Sequence, residues 1–396
     1  MSYLIFCSYE VGGLPYKMAE ILKRNGVEVY YVSLDRKAIG HDSTKFHYGN
    51  RNEPWDLSYL FKNCFSSLKI VRNLRLIKKR YNITACLATG SKSYLLKQAD
   101  IDYKYWSYGA DLDQQCFSVF RLLNYPFWKR FLKFIYNVFN RQTLKARKSI
   151  LLASSLMIAP YQITSLDKIC SNKKLFFLPH FLRIFDYEYL LKEKIKNKKR
   201  ICEQINAKNY FFSSTRHFWQ GIKIKMSDNK GNNVIFESFA RYIKISKDYN
   251  SKIIVVEKGP DVEASKLLTK KLKIDKYVVW VKEMKRDELN MYYQGATLCF
   301  GQFGTPVVTF ASLEPLSNAT PCISFFDENK IKIPFYKELP PLINSNDPYK
   351  IAELMHNIIN DDNYYSDLCY RSWLWVKNNC SEEVFVKSFL ELFKEI

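Results

Sequence analysis

The sequence predicts an α/β protein built as two Rossmann-like, doubly wound domains. Length points to two domains, because 396 residues exceed what one hydrophobic core usually serves. Apolar strand-like runs alternate with amphipathic helical runs in both halves, which is the pattern of a parallel sheet covered on both faces. Between the halves lies a polar, lysine-rich stretch without Gly or Pro, residues 186–208. It reads as a solvated helix and linker.

Residues 3–9 (YLIFCSY) read as a buried strand ended by Gly12-Gly13. The helical pattern that follows closes at Gly26, a C-terminal cap, before the strand VEVYYVSL. This is a βαβ opening of the kind whose ligands bind beyond the strand ends. Residues 83–89, 103–109, 149–160 and 174–180 read as the later strands of the same sheet. In the second half, strands are expected at 209–215, 252–257, 277–281, 297–300 and 321–326. Helices are expected at 231–246, 262–273, 285–294 and 306–317, and the last residues read as helices too. The expected division is therefore a first domain over 1–185, a linker over 186–208, a second domain over 209–365, and helices over 366–396.

Composition narrows the class. Hydrophobic residues make up 47% and aromatics 16% of the chain, enough for two packed interiors, so disorder is excluded. Ten cysteines are scattered singly, with no CxxC pair. That reads as buried free thiols in a reducing compartment and argues against zinc. The net charge of +22 calls for an anionic partner, and nucleic acid and anionic membrane are the usual two. Met1 leads directly into an apolar strand, so no signal peptide is expected. No apolar run is long enough for a membrane span. The expected location is cytoplasmic, with room for a peripheral place on the membrane.

The stretch 124–148 bears on that choice. At helical spacing, Phe127, Trp128, Phe131, Leu132, Phe134, Ile135, Val138 and Phe139 share one face. Lys129, Arg130, Lys133 and Arg141 fall on the other. An aromatic face backed by cations suits a helix lying in an anionic membrane interface. It equally suits a core helix whose basic face meets water. No helix-turn-helix, RNP or zinc pattern supports nucleic acid as the partner.

The chemistry-bearing stretch runs from Ser214 to Ser324. Arg216 ends an expected strand, and a Lys230-Gly231 pair opens an amphipathic helical pattern. The run IIVVEKGP ends a strand in Gly259-Pro260. Glu314 then lies on a short helical stretch that stops at Asn318. Two fixed cations at a helix N-terminus can hold a phosphate group; they can also be two surface cations among 61. Glu314 alone could equally be an ordinary exposed helix residue.

Taken together and in this order, the three segments resemble the donor-binding half of a GT-B glycosyltransferase, closest to the retaining family 4. The resemblance implies two Rossmann-like domains facing a central cleft, with a nucleotide-sugar donor held mainly by the second. It requires no metal and no further cofactor. By resemblance, Arg216 and Lys230 neutralise the departing diphosphate, and Glu314 holds the ribose. The family's first glutamate falls eight positions earlier, where this chain has Pro306 after GQFGT. Gln302, or the amides of Gly304 and Thr305, would take its place, with Pro306 in a helical first turn.

The resemblance also assigns the Gly12-Gly13 loop to the sugar pocket and Gly259-Pro260 to the donor side. The segment SYGADLD puts Tyr108 where the family has a histidine, with Asp111 as a candidate catalytic acid and Asp113 facing an acceptor. A helix N-cap is the alternative for the two aspartates. His180 reads as a satisfied core histidine. The implied activity is sugar transfer to a glycan, lipid-linked by preference, in bacterial surface-polysaccharide assembly on an anionic membrane surface. A non-catalytic GT-B scaffold or sugar-binding subunit is the alternative, and a nucleic-acid-binding protein is a third.

Overall fold

The computed structural model describes residues 1–8, 13–34, 53–62, 64, 66–107, 141–157, 173–220, 229–331, 336 and 338–394, with backbone alone at 141–143, 330 and 331. The chain divides into two compact units, Met1–Leu178 with Val386–Ile396, and Pro179–Phe385.

In the first unit, β1 (Ser2–Cys7), β2 (Val29–Ser33), β3 (Ile83–Thr89), β4 (Lys104–Trp106), β5 (Ser155–Met157) and β6 (Lys174–Phe176) form one sheet. Their order is β2-β1-β3-β4-β5-β6, and every pairing is parallel. β1 is an unbroken apolar run because helices cover both faces of such a sheet; Leu4, Ile5, Phe6 and Cys7 are fully enclosed. Helix Leu14–Arg24 follows from Gly13, whose φ of 71° is left-handed, a conformation glycine adopts without steric cost. Helix Ser67–Arg80 starts at Ser66, whose hydroxyl accepts the Lys69 amide. It turns Ile70, Val71, Leu74 and Ile77 into the core. Tyr3 of β1 meets the rings of Phe389 and Phe393 at 5.3 and 5.4 Å, so the end of the last helix, Glu382–Lys394, packs in this unit.

Residues 149–160 do not form one strand. Helix Arg141–Leu151 continues through Ser149 and Ile150, and β5 begins only at Ser155. Ser149 bonds back to the Lys145 carbonyl and also to that of Ser91, while Tyr94 donates its amide to the same hydroxyl.

The second unit holds β7 (Asn209–Ser213), β8 (Ser251–Val256), β9 (Val278–Val281), β10 (Leu298–Phe300), β11 (Cys322–Ser324) and β12 (Ile343–Asn344). The order β12-β11-β10-β7-β8-β9 is the doubly wound arrangement of a Rossmann sheet. Alternate residues serve opposite faces: Tyr210, Phe212, Ile254 and Val256 pack in one core, and Phe211, Ile253, Val255 and Phe300 in the other. Both faces are therefore covered.

The lysine-rich stretch between the halves is a helix, as expected, but it packs as part of this unit and is not a separate linker. Asp186 caps helix Tyr187–Ile205, accepting the Tyr189 amide. Leu190, Asn197, Ile201 and Cys202 are buried. Asn197 donates to Gln294 on helix Arg286–Gly295 at 2.9 Å, and a side chain at Gly295 would strike the Lys198 amide at 2.6 Å. The expected helix over 306–317 is also shorter, running Phe310–Ser317 from Thr309. Residues 304–306 are held instead by neighbouring loops, and the Val307 amide turns back to the Thr305 carbonyl at 2.8 Å. Pro306 thus stands before the helix and not in its first turn.

Candidate functional site

The strand order reverses between β10 and β7, and ligands of doubly wound sheets bind beyond the carboxyl ends of strands at such a point. The loops leaving these two strands interlock there. The Lys230 amide donates to the Phe218 carbonyl at 2.7 Å, and the Phe303 amide donates to the Lys230 carbonyl at 2.9 Å. Asn229 folds its side chain onto the Gly231 amide at 2.8 Å, and its carbonyl accepts the Thr305 hydroxyl at 3.2 Å. Gly231 has φ +64°, and a Cβ on it would lie 2.6 Å from the Gly304 amide nitrogen. Gly304 is hemmed equally by Asn229. Two glycines are needed because two backbones touch.

Lys230 sits at this junction. Its ammonium donates to Gln302 Oε1 at 3.0 Å, while Gln302 Nε2 donates to the Thr305 carbonyl at 3.1 Å. Gln302 is only 3% exposed, so its amide braces the lysine from inside the loop. Lys230 lies just before helix Asn232–Ser246, which starts from Gly231 with no side-chain cap. Its first amides carry the partial positive charge of a helix N-terminus. Asn232 ties the start of that helix back to the beginning of the same loop, accepting the Phe218 amide and donating to the Thr215 carbonyl. This is how a 14-residue separation in sequence closes into one loop base.

Arg216 is exposed, and its guanidinium stacks over the Phe218 ring at 5.3 Å. Gly259 makes room for its stem: at φ +118°, an added Cβ would lie 2.3 Å from the His217 carbonyl oxygen and 2.7 Å from Arg216 Cγ. Gly259 thus serves the arginine loop directly, and Pro260 is an exposed turn residue beside it. Gly259→Ala is expected to cost about 1–3 kcal/mol of stability through backbone strain and clash. It should also displace Arg216. A thermal melt and a nucleotide titration together check this, since loss of stability with unchanged affinity would separate the glycine from the arginine.

The segment after Arg216 is pinned by residues with no separate signal in the sequence. Trp219 and Gln220 donate their amides to Asp261 Oδ2 at 2.7 and 2.8 Å, and Trp219 Nε1 donates to Ser265 Oγ at 2.8 Å. Ser265 Oγ also meets His217 Nδ1 at 2.9 Å. Burial pulls the His217 pKa down from 6.5 to about 4, against the opposing pull of the Val256 carbonyl, Asp261 and Glu257. A folded pKa below the unfolded one means the unfolded chain binds the proton first. The neutral histidine's contribution is whole above pH 6.5 and lost as pH falls toward about 4, a loss of about 3 kcal/mol. Melting temperatures of wild type and His217→Asn across that range check it; the variant's slope should be shallower.

Glu314 is 7% exposed and turned to protein partners. Arg286 Nη1 donates to Oε1 at 2.6 Å, and the Tyr293 hydroxyl donates to Oε2 at 3.1 Å. Tyr293 also meets Ser214 Oγ at 2.6 Å, linking the carboxylate to the end of β7. Burial first, and then the Glu314 charge, raise the Tyr293 pKa well above its ordinary value, so the phenol keeps its proton. Glu314 is accordingly a buried, oriented anion and not an exposed helix residue. A carboxylate accepts more than one bond per oxygen, so capacity for a ligand remains.

Arg286 and Tyr293 went unnoticed in the sequence because a lone arginine or tyrosine carries no signal there. The apolar spacing of helix Arg286–Gly295 could have placed Tyr293 inward. His180 is a partnered, half-buried histidine: its Nδ1 meets the Tyr336 hydroxyl at 2.5 Å and its ring meets Phe310 edge-on. Burial lowers its pKa to about 4. Gly13 is the left-handed residue before the first long helix. Gly12, Tyr108, Asp111, Asp113 and the proposed membrane residues Phe127, Trp128, Lys129, Arg130, Phe131, Lys133 and Phe134 lie outside the described residues.

Among the described residues, no group of three or more His, Cys, Asp or Glu is arranged to hold a metal ion. No described helix is long and apolar enough to cross a membrane.

Known structures share this fold. A glycosyltransferase from Rickettsia africae ESF-5 matches over 100% of this chain and 98% of its own, at 14% identity and a TM-score of 0.62. Anabaena Alr3699/HepE, solved in complex with UDP and glucose, matches over the whole of both chains at 11% identity and 0.65. WaaG, a glycosyltransferase involved in lipopolysaccharide biosynthesis, covers 98% of each chain at 13% identity and 0.57. No family model and no curated protein matches the sequence. The fold is that of the GT-B glycosyltransferases.

Proposed function

We propose that the protein is a glycosyltransferase that takes a sugar from a nucleotide-sugar donor held by its second unit. The observation that carries this reading is the Arg216 loop and the Lys230-Gly231 helix start, tied together at the switch point of a GT-B-type sheet. The leaving group of such a transfer is a nucleoside diphosphate, and fixed cations with helix amides stabilise the charge that develops on it. Lys230, braced by Gln302, and Arg216 supply those cations. Glu314 accepts hydrogen bonds from the ribose hydroxyls with the lone pairs that Arg286 and Tyr293 leave open. Transfer proceeds with retention, the acceptor attacking from the face the diphosphate leaves and a donor phosphate oxygen taking its proton. No metal enters this scheme.

UDP and glucose in Anabaena HepE make UDP-glucose the first donor to try. The acceptor we favour is a lipid-linked glycan of surface-polysaccharide assembly, which suits the basic charge and the involvement of WaaG in lipopolysaccharide biosynthesis. The enzyme would then work at the inner face of the cytoplasmic membrane. One observation favours the alternative of a non-catalytic sugar-binding subunit: Pro306 occupies the place of the first glutamate of the family. Incubation with a panel of nucleotide-sugars, measuring released nucleotide, separates the two. Slow release from one donor, abolished in Lys230→Ala, is expected. Nucleotide binding with no release from any donor, with or without glycan acceptors, would reject the enzyme reading.

A further inference from the structure

Helix Ser67–Arg80 carries six cations, Lys69, Arg72, Arg75, Lys78, Lys79 and Arg80, and no acid. Its inner face is accounted for by Ile70, Val71, Leu74 and Ile77. The outer face is not wholly polar, since Leu68 is 83% and Leu76 57% exposed. Exposed Lys69, Arg72, Arg75, Lys79 and Arg80 surround these two leucines on the same half of the helix. The short turn Ser58–Phe61 adds more apolar surface beside it. Tyr59 and Leu60 are exposed there, and Asn73 donates to the Leu60 carbonyl at 2.7 Å, fixing the turn against the helix. Exposed leucines scattered singly need no explanation. Here two leucines, a third and a tyrosine lie on neighbouring turns among five exposed cations, with Arg75 facing Asp100 at 3.9 Å.

We infer that this face is the protein's seat on an anionic bilayer, with Leu68 and Leu76, flanked by Tyr59 and Leu60, entering the headgroup boundary. Charge complementarity names the partner: a helix with six cations and no acid of its own meets lipid phosphates, each nearby cation adding to the attraction. The leucines choose a bilayer over nucleic acid, because a polyanion without an apolar phase gives them no gain. At the end of the helix, a shallow cavity of about 350 Å³ is lined by Arg75, Lys78, Lys79, Asn82 and Asp100. Arg75 and Lys78 are steadied there by the carbonyls of Gln98 and Asp100, so those cations are presented on a fixed base.

This inference rests on the membrane part of the reading above, though not on residues 124–148. The test is flotation of the full chain with phosphatidylcholine vesicles with or without phosphatidylglycerol. Wild type should float only with the anionic vesicles. Leu68→Ser with Leu76→Ser should lower partitioning about tenfold or more, and Arg72→Gln, Arg75→Gln and Lys79→Gln together about a hundredfold. All changed side chains are exposed, so unchanged thermal melts are expected. Wild type that floats with neither vesicle defeats the membrane reading and this face with it. Wild type that floats, with the leucine variant floating equally, defeats this face alone. Binding to a single-stranded oligonucleotide in place of vesicles, indifferent to the leucines, overturns it in favour of nucleic acid.

Discussion

Lys230→Ala is expected to lower turnover on the true donor by about 2–4 kcal/mol of transition-state free energy, roughly 30- to 800-fold. The change removes a charge held at the base of two interlocked loops, where on the proposed reading it would meet a leaving diphosphate without reorganising. Arg216→Ala should fall in the same range. The folded state should bear the two changes differently. Arg216 is exposed, and its loss leaves the loop pinned by Asp261 and Ser265. Loss of the Lys230 ammonium leaves Gln302 Oε1 short of a donor in a buried place, which costs about 1 kcal/mol. Lys230→Arg keeps the charge but not the fit to Gln302, and should recover only part of the rate. Gln302→Ala should reduce kcat by loosening the cation, and a matching rise in KM would mark the donor contact that the resemblance implies for Gln302. Steady-state kinetics with a melt for each variant decide it. Wild-type turnover in both alanine variants would remove these residues from the site.

Much of the second unit was legible because its signals are local. β7, β8 and β9 are short apolar runs between turn residues, and each lies within or close to its expected range. Gly231 and Gly259 marked places where φ is positive and a backbone passes close by. The expectation that Arg216 and Lys230 act as a pair came only from resemblance, since a chain with 61 basic residues hides any two of them. What ties the ends of the loop carrying them is Asn232, Phe218 and Asn229, ordinary polar and aromatic residues whose bonds span the fold of that loop. Helix Tyr187–Ile205 misled for a related reason. Lysines such as Lys194 lie along packed surface with only the ammonium at a polar contact, here the Thr320 hydroxyl and the Ala296 and Ala319 carbonyls. A count of charges cannot see the buried stem. The start of helix Phe310–Ser317 was misplaced because Pro306 suits a first turn locally, while the bonds from Gln302 and Thr305 to neighbouring loops hold the chain out of it.

Glu314 sets the second large effect, because its burial sets aside the alternative of an ordinary exposed helix residue. Read as an exposed residue, Glu314→Gln would leave the fold untouched. Buried against Arg286 and Tyr293, the same change strips the guanidinium of its counter-charge. The Arg286 side chain keeps 34% exposure and can turn partly to water, so Glu314→Gln is expected to cost only about 1–2 kcal/mol. Arg286→Met should cost more, about 3 kcal/mol, because it strands the better-buried partner. The double variant should regain part of that loss, and a double-mutant cycle measures the coupling. Nucleotide affinity then separates the two roles of the carboxylate. If the ribose hydroxyls bond to it, Glu314→Gln should weaken UDP binding by about 1.5–3 kcal/mol, the worth of hydrogen bonds to a charged group. Calorimetry should be run well below the melting point of the variant, so that unfolding does not mimic lost affinity. UDP bound as tightly as by wild type, in a protein destabilised as expected, would make Glu314 the structural partner of Arg286 and leave the ribose to another group.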